Sequence, residues 1–204
     1  FGEVSWDISG MFSINDYSEF NKRSVLEHDM RGYLANDFVG KENLNSNDVS
    51  WYSLPDDETY FQNKIKGIYL GNFVKWDPYK QTDLMKEVYD WEESREPFER
   101  TYRMISNLDD MHENGIHDYL KYIKFGYGRC SDHASKDIRM GYISRNKGVE
   151  LVKKYDHVKP YKDLNRWIKY TGITEEEFDR HADTFRDKRV WIKKNNEWIK
   201  RYHL

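Results

Sequence analysis

The densest run of chemically capable residues lies between Lys124 and Arg145, KFGYGRCSDHASKDIRMGYISR. Lys124, Arg129 and Arg139 supply positive charge there. Gly126 and Gly128 open backbone conformations closed to other residues. Ser131 is expected to start a helix, whose free N–H groups suit a phosphate or another anion. Asp132 and His133 add an acid–base pair able to hydrogen-bond a substrate or handle a proton near neutral pH. This pattern fits an anion or nucleotide contact loop. The same Gly, Ser and Asp residues also fit a helix–helix connection, where they serve as turn and cap residues. Gly126-Tyr127-Gly128 is not a phosphate loop, because the eight-residue pattern ending in Gly-Lys-Ser/Thr is missing.

Three other groups have weaker cases. Asp109, Asp110, His112, Glu113, His117 and Asp118 offer metal-ligand chemistry. His112 and His117 are five apart, which puts them about 140° apart around a helix. No His-Glu-x-x-His pattern is present, so a solvated helix start is expected and no metal site. Cys130, the single cysteine, sits beside Arg129 near a helix start, a setting that lowers a thiol pKa. As a nucleophile it would need His133 as its base. A small buried residue is the competing reading. The aromatic set could stack sugars or bases, but at helical spacing it reads as core. The basic C-terminus KKNNEWIKRYHL reads as solvated surface.

The elements that must position these residues are mostly helical. The chain has 204 residues, 38% of them hydrophobic and 34% charged, with a net charge of −3. The mean hydropathy of −1.00 points toward disorder. Seven Trp, 16 Tyr and 10 Phe point the other way, since disordered chains are poor in aromatics. Interspersed charge gives no nucleic-acid binding mode, and no apolar run approaches a bilayer span. Apolar periodicity predicts a helix over Ile14–Phe38, stopped near Gly40, followed by a loop over 41–50. Helices are expected from Asp56 to Lys64, and from Asp83 to Trp91 with Thr82 as cap. Others are expected over Ile116–Ile123, from Ser131 to Gly141, from Ser144 past Tyr155, and from Thr174 to about Phe185. One short strand is expected near 67–74, and a hairpin over 189–201 competes with a helix there. The fold class is therefore mainly α with a minor β component.

Two stretches add a resemblance. They are Tyr119-Leu120-Lys121-Tyr122-Ile123-Lys124-Phe125-Gly126-Tyr127-Gly128-Arg129 with its continuation Ser131–Arg139, and Gly148–Asp156. They are similar to segments of the N-acetyl sugar amidotransferases of bacterial lipopolysaccharide, O-antigen and surface-sugar biosynthesis. Ile68-Tyr69-Leu70-Gly71 with Trp76-Asp77, and Asp183-Thr184-Phe185-Arg186 with Val190-Trp191, also look like theirs. The resemblance covers roughly residues 67 to 191.

It implies the C-terminal part of an α/β adenine-nucleotide-hydrolase-like enzyme. Such enzymes convert an acetamido group on a sugar nucleotide or related sugar to an acetamidino group. ATP activates the amide oxygen by adenylylation, and ammonia displaces AMP. Family members carry a Ser-Gly-Gly-x-Asp-Ser loop and paired cysteines in an N-terminal domain, and this sequence has neither. Residues 1–204 are thus expected to form a single helical C-terminal region of a longer enzyme, inactive alone, a reading that the start at Phe1 rather than Met also suggests.

The resemblance implies ATP and Mg2+ bound mainly by the absent domain, and a glutaminase subunit supplying ammonia. It also implies a cytoplasmic location, no nucleic acid or membrane, and homo-oligomer formation as an option. It marks the positions and not their roles; local chemistry makes Lys124, Gly126, Gly128, Arg129, Ser131 and Arg139 substrate-binding candidates, and Asp132 and His133 catalytic ones. Arg139 could instead pair with Asp137 or Asp132. Two other readings remain: a non-catalytic helical interaction module, and an intact small enzyme using Asp132, His133 and Cys130.

Overall fold

In the computed structural model, residues 32–74, 77–105 and 114–202 are described, with Leu26 and the backbone of Glu19–Phe20. The protein is mainly α with a minor β component. It divides inside one helix, after Leu84, into two compact units, and the sequence marks no linker there.

In the first unit, β1 (Glu19–Phe20) pairs antiparallel with β2 (Gly67–Ile68), Phe20 opposite Gly67. Phe20 is therefore strand where apolar spacing predicted helix. The rest of the 14–31 stretch, other than Leu26, lies outside the described residues, and Ala35–Phe38 forms a 3-10 turn. Residues 41–50 are not all loop. Asn45 and Asp48 form a reciprocal cap that starts a one-turn helix, α1 (Ser46–Val49). Helix α2 (Asp57–Gln62) begins where Asp56 accepts the Thr59 amide at 2.7 Å. The strand expected over 67–74 ends after Ile68. Beyond buried Tyr69, Leu70–Asn72 turns as 3-10 helix, and Leu70 O accepts the Val74 amide at 2.9 Å.

Helix α3 (Pro78–Tyr89) starts five residues before the expected Asp83. Its cap is Asp77, whose carboxylate accepts the Tyr79 and Lys80 amides at 3.2 and 3.3 Å. Pro78 fills the first helical position, where a missing N–H costs nothing. Thr82 is interior and donates its hydroxyl to Pro78 O at 2.7 Å.

Beyond α3, the described residues of the second unit form five helices and a hairpin. They are α4 (Asn114–Phe125), α5 (Arg129–Met140), α6 (Arg145–Tyr155), α7 (Tyr161–Thr171), α8 (Glu175–Asp183), β3 (Trp191–Lys194) and β4 (Glu197–Lys200). Helices α4, α7 and α8 enclose one core of Ile116, Ile123, Leu164, Phe178 and Ala182. Burying an aliphatic or aromatic side chain of this kind contributes about 1.5–3 kcal/mol. Helices α5 and α6 enclose the other, around Cys130, Ala134 and Val152. Gly148 lets them close, since a Cβ there would sit 2.6 Å from Ile138 Cδ1.

Ser144 and Thr174 cap α6 and α8 as expected. Helix α7 was not anticipated, although Pro160 precedes it and left-handed Gly172 ends it. The C-terminal residues form the hairpin, not a helix. Asn195 and Asn196, both at positive φ, make its two-residue turn. Buried Trp191 packs edge-on against Tyr122 at 5.3 Å, and Arg186 lies 4.4 Å from the Trp191 ring centroid.

Candidate functional site

The corner between α5 and α6 contains most of the residues singled out from the sequence. Gly128 caps α5 in extended conformation, so Ser131 is the third helical residue and not the cap. The anion at this helix start is the protein's own. The buried Asp156 carboxylate accepts the Gly128 amide at 2.9 Å, the Ser131 amide at 3.1 Å and the Ser131 hydroxyl at 2.5 Å. A carboxylate facing free N–H groups also meets the positive end of the helix dipole. The geometry expected to cradle a phosphate thus holds an internal side chain, which corrects the anion-loop expectation at Gly128 and Ser131. A Cβ on Gly128 would lie 2.9 Å from Arg100 Nη2 and 3.1 Å from Asp156 Oδ1, so glycine is required by packing.

Arg100 locks the same corner from the other side. Its guanidinium donates to the carbonyls of Asp156 and Val158. Its centre lies 5.3 and 5.5 Å from the rings of Tyr119 and Tyr122. Burial lowers its pKa, with Asp118 and Asp156 opposing that shift.

The other candidates scatter. Lys124 is exposed, 5.2 Å over the Phe125 ring. Arg139 is exposed and donates to Ser135 Oγ at 3.0 Å, one turn back. Asp137, one of its two alternative partners, accepts from Tyr102 and forms a buried ion pair with Arg103. Asp132, the other, pairs with Lys121 on α4. Gly126 ends α4 at φ +78°, and a Cβ there would meet Val190 Cγ1 at 2.5 Å. It serves the docking of the hairpin.

Cys130 is fully buried, and burial pushes its thiol up to about 12, with Asp156 adding to the shift. The expected activation by Arg129 and the helix start is overruled, because desolvation penalises the thiolate more strongly. Of the proposed metal cluster, Asp109, Asp110, His112 and Glu113 lie outside the described residues. Asp118 is engaged by Arg129, Nε at 2.9 Å, and by His117 Nδ1 at 3.1 Å. Among the described residues no group of three His, Cys, Asp or Glu is arranged to hold a metal ion.

Two candidates, Arg129 and His133, do share a recess. A small recess that opens to solvent, with enclosed room of about 20 Å3, is lined by Arg100, Thr101, Asn114, Asp118, Arg129 and His133. His133 is only 8% exposed. Its Nδ1 lies 2.6 Å from Thr101 Oγ1, and among the described residues its Nε2 has no hydrogen-bond partner. Burial, then the charges of Arg103, Arg129, Lys136 and Lys121, hold its pKa well below the ordinary histidine value. The ring is neutral at physiological pH and works there as a hydrogen-bonding group, not as an imidazolium acid.

Arg100, Thr101 and Asn114 are recess residues that the sequence reading did not single out. Asn114 and Thr101 carry no spacing signal. Arg100 follows Pro97 in a segment without periodicity.

Residues 72–203 match the model of a family described as LPS biosynthesis protein WbpG-like, C-terminal domain. That span is well over half of the chain. The chain belongs to this family. The match extends the earlier resemblance to the hairpin and contains the whole α4–α8 assembly with its recess. It assigns the WbpG-like domain to lipopolysaccharide biosynthesis and to the C-terminal portion of such a protein. No curated protein matches the chain. No helix among the described residues is long and apolar enough to cross a membrane.

Proposed function

We propose that this chain is the C-terminal portion of an ATP-dependent N-acetyl sugar amidotransferase, acting in lipopolysaccharide or O-antigen biosynthesis. The parent enzyme would convert a sugar acetamido group to acetamidino, with ammonia from a glutaminase subunit. The observation that supports this reading is the family match over residues 72–203, a span that contains the Tyr119–Arg139 and Gly148–Asp156 runs. The cytoplasm, where sugar nucleotides are made, is the fitting compartment.

The described residues do not fit the phosphates of ATP. The helix start singled out from the sequence is filled by Asp156, and Arg129 is committed to Asp118. They do not fit Mg2+ either, since no carboxylate group converges on one point. ATP and Mg2+ would therefore belong to another part of the parent enzyme. The work of this chain is to hold and orient the acceptor sugar.

The test is the full-length parent protein supplied with ATP, Mg2+, an ammonium salt and a uridine-diphosphate N-acetyl sugar. Mass spectrometry should show the oxygen of the acetamido group replaced by NH, with AMP formed in step. A parent protein that binds ATP yet forms no amidine from any acetamido sugar nucleotide overturns the reading.

A second reading is a non-catalytic interaction module. Trp51 and Phe61 of the first unit, 93% and 86% exposed, favour it. It predicts that the parent protein binds a partner protein and no sugar.

A further inference from the structure

The C-terminal end of α4 meets the base of the hairpin at Gly126, and exposed rings gather there. Phe125 and Tyr127 flank the glycine, both exposed, with ring centroids 6.0 Å apart. Lys124 Nζ lies 5.2 Å from the centre of the Phe125 ring, and Lys121 Nζ lies 5.0 Å from that of Tyr127. From the hairpin, Lys200 donates to Gly126 O at 3.4 Å, and Val190 sits against the same glycine. Arg201 ties into this point, its amide donating to Val190 O and its Nε to Lys188 O, both at 2.8 Å. The end of α4, the approach to β3 and the end of β4 thus share one surface.

The charge on this surface has one sign. Lys121 is neutralised by Asp132, and Arg189 by Asp187. Lys124, Lys188, Lys200 and Arg201 have no carboxylate partner among the described residues. Unpaired cations beside exposed rings attract an anionic partner that also has apolar depth. Three of the four cations are lysines, flexible point charges, whereas protein interfaces favour arginine and are depleted in lysine. Amphipathic rings and lysines with their stems laid along apolar surface suit the headgroup layer of a bilayer. Lysines near an anionic leaflet are attracted without any fixed hydrogen-bond geometry. A nucleic acid fits less well, since the whole chain carries a net charge of −3 with both signs interspersed.

We propose that this surface docks the chain on an anionic bilayer. Lys124, Lys188, Lys200 and Arg201 face the lipid phosphates, and Phe125 and Tyr127 seat among the headgroups. Docking of this kind lies on the membrane and needs no spanning helix. It departs from the expectation of no membrane that the resemblance implied. A product carried on lipid, as lipopolysaccharide is, fits the placement. The proposal goes beyond the amidotransferase reading and does not rest on it.

Sedimentation of the full chain with vesicles tests it. Vesicles of equal parts phosphatidylglycerol and phosphatidylethanolamine should carry the chain down, and phosphatidylcholine vesicles should not. Added sodium chloride should release it, because exposed charges are screened. Lys124→Gln and Lys188→Gln should each weaken binding by roughly fivefold, the scale of one cation at an anionic leaflet. Phe125→Ser and Tyr127→Ser should weaken it at unchanged charge. Lys147→Gln removes the same charge at the opposite end of α6 from the Asp156–Gly128 contact, and should leave binding as it was. Circular dichroism checks that each of these surface variants stays folded.

Equal binding to phosphatidylcholine vesicles, or no binding to any vesicle, overturns the proposal. So does a Lys147→Gln loss as large as that of Lys124→Gln. Two further outcomes overturn it by giving the surface another occupant. Self-association without lipid, seen by sedimentation velocity and lost in Lys124→Gln, makes that occupant a second copy of the chain. Release from vesicles by inorganic phosphate beyond that by sodium chloride at matched ionic strength makes it a small anion. ATP and sugar are absent from every arm, so these results and amidine formation by the parent enzyme succeed or fail separately.

Discussion

His133 ties the recess between α4 and α5 to the stability of the fold. Its folded-state pKa lies well below the 6.5 of an unperturbed histidine, first because of burial and then because Arg103, Arg129, Lys136 and Lys121 face it. Below about pH 6.5 the unfolded chain takes up a proton that the folded chain refuses. The stabilisation is therefore present above about pH 6.5 and is lost as pH falls through it, by up to about 1.4 kcal/mol per pH unit. Melting temperatures measured between about pH 8 and about pH 5.5 should fall along this slope, and His133→Asn should flatten it. A wild-type chain with no such slope would contradict the buried neutral ring. Cys130 gives the complementary case. With its thiol at about 12 and no exposed surface, it should resist iodoacetamide in the native chain and react on unfolding. Cys130→Ala should cost about 1 kcal/mol and leave amidine formation by the parent enzyme intact, an outcome that separates a packed thiol from a nucleophile.

At this scale the sequence was legible as chemistry but not as pairing. Arg129 and His133 were marked, and the structure puts both in the recess. Ser131 fits a cap by its type and place. The true cap-side anion is Asp156, 25 residues downstream, and no local pattern connects the two. Arg100 reaches Asp156 across 56 residues and is equally invisible to spacing rules.

Elements were more legible where a local signal decides them. Ser144 and Thr174 caps, and the Asn195-Asn196 turn, need only neighbours to act, and each appears where its residues imply. Strand β2 stops short of Val74 because the chain turns as 3-10 helix at Leu70–Asn72. Helix α7 carries a local signal of the same kind: Pro160, then Leu164, Trp167 and Ile168 at helical spacing, then Gly172.

The join of α4 to the hairpin is the element-level feature most open to test. Gly126 has φ +78°, where a side chain is strained by about 1–2 kcal/mol, and a Cβ would overlap Val190. Gly126→Ala should destabilise by at least that amount in denaturant titration. It should also loosen the packing of Trp191 on Tyr122, read as a change in tryptophan fluorescence. Gly141→Ala makes the control, because its φ is +79° and a Cβ there meets nothing within 4 Å. The difference between the two variants isolates hairpin docking from backbone strain.

For the molecule as a whole, the family span and the second compact unit nearly coincide. The match begins at Asn72, a few residues before α3, and runs through β4. Both buried core clusters lie inside it. A fragment of residues 72–203 should therefore unfold cooperatively by itself, with a single transition by circular dichroism. A fragment lacking any cooperative transition would show that the second unit depends on the first. The division itself was not legible beforehand. It falls within α3, where no Pro, Gly or Ser run marks it, because contact density and not linker composition separates the units.

The occupied start of α5 has one more consequence, on a time axis. First-turn amides of a helix normally open to solvent early, since nothing in the helix bonds them. The Gly128 amide is buried and given to a carboxylate at the far end of the next helix, with Arg100 bonded to the carbonyl of that same residue. Deuterium should enter it only when the α5–α6 corner comes apart, so its exchange should report large-scale opening and not fraying. An ordinary helix terminus is where a protein begins to yield; this one is where it should yield late.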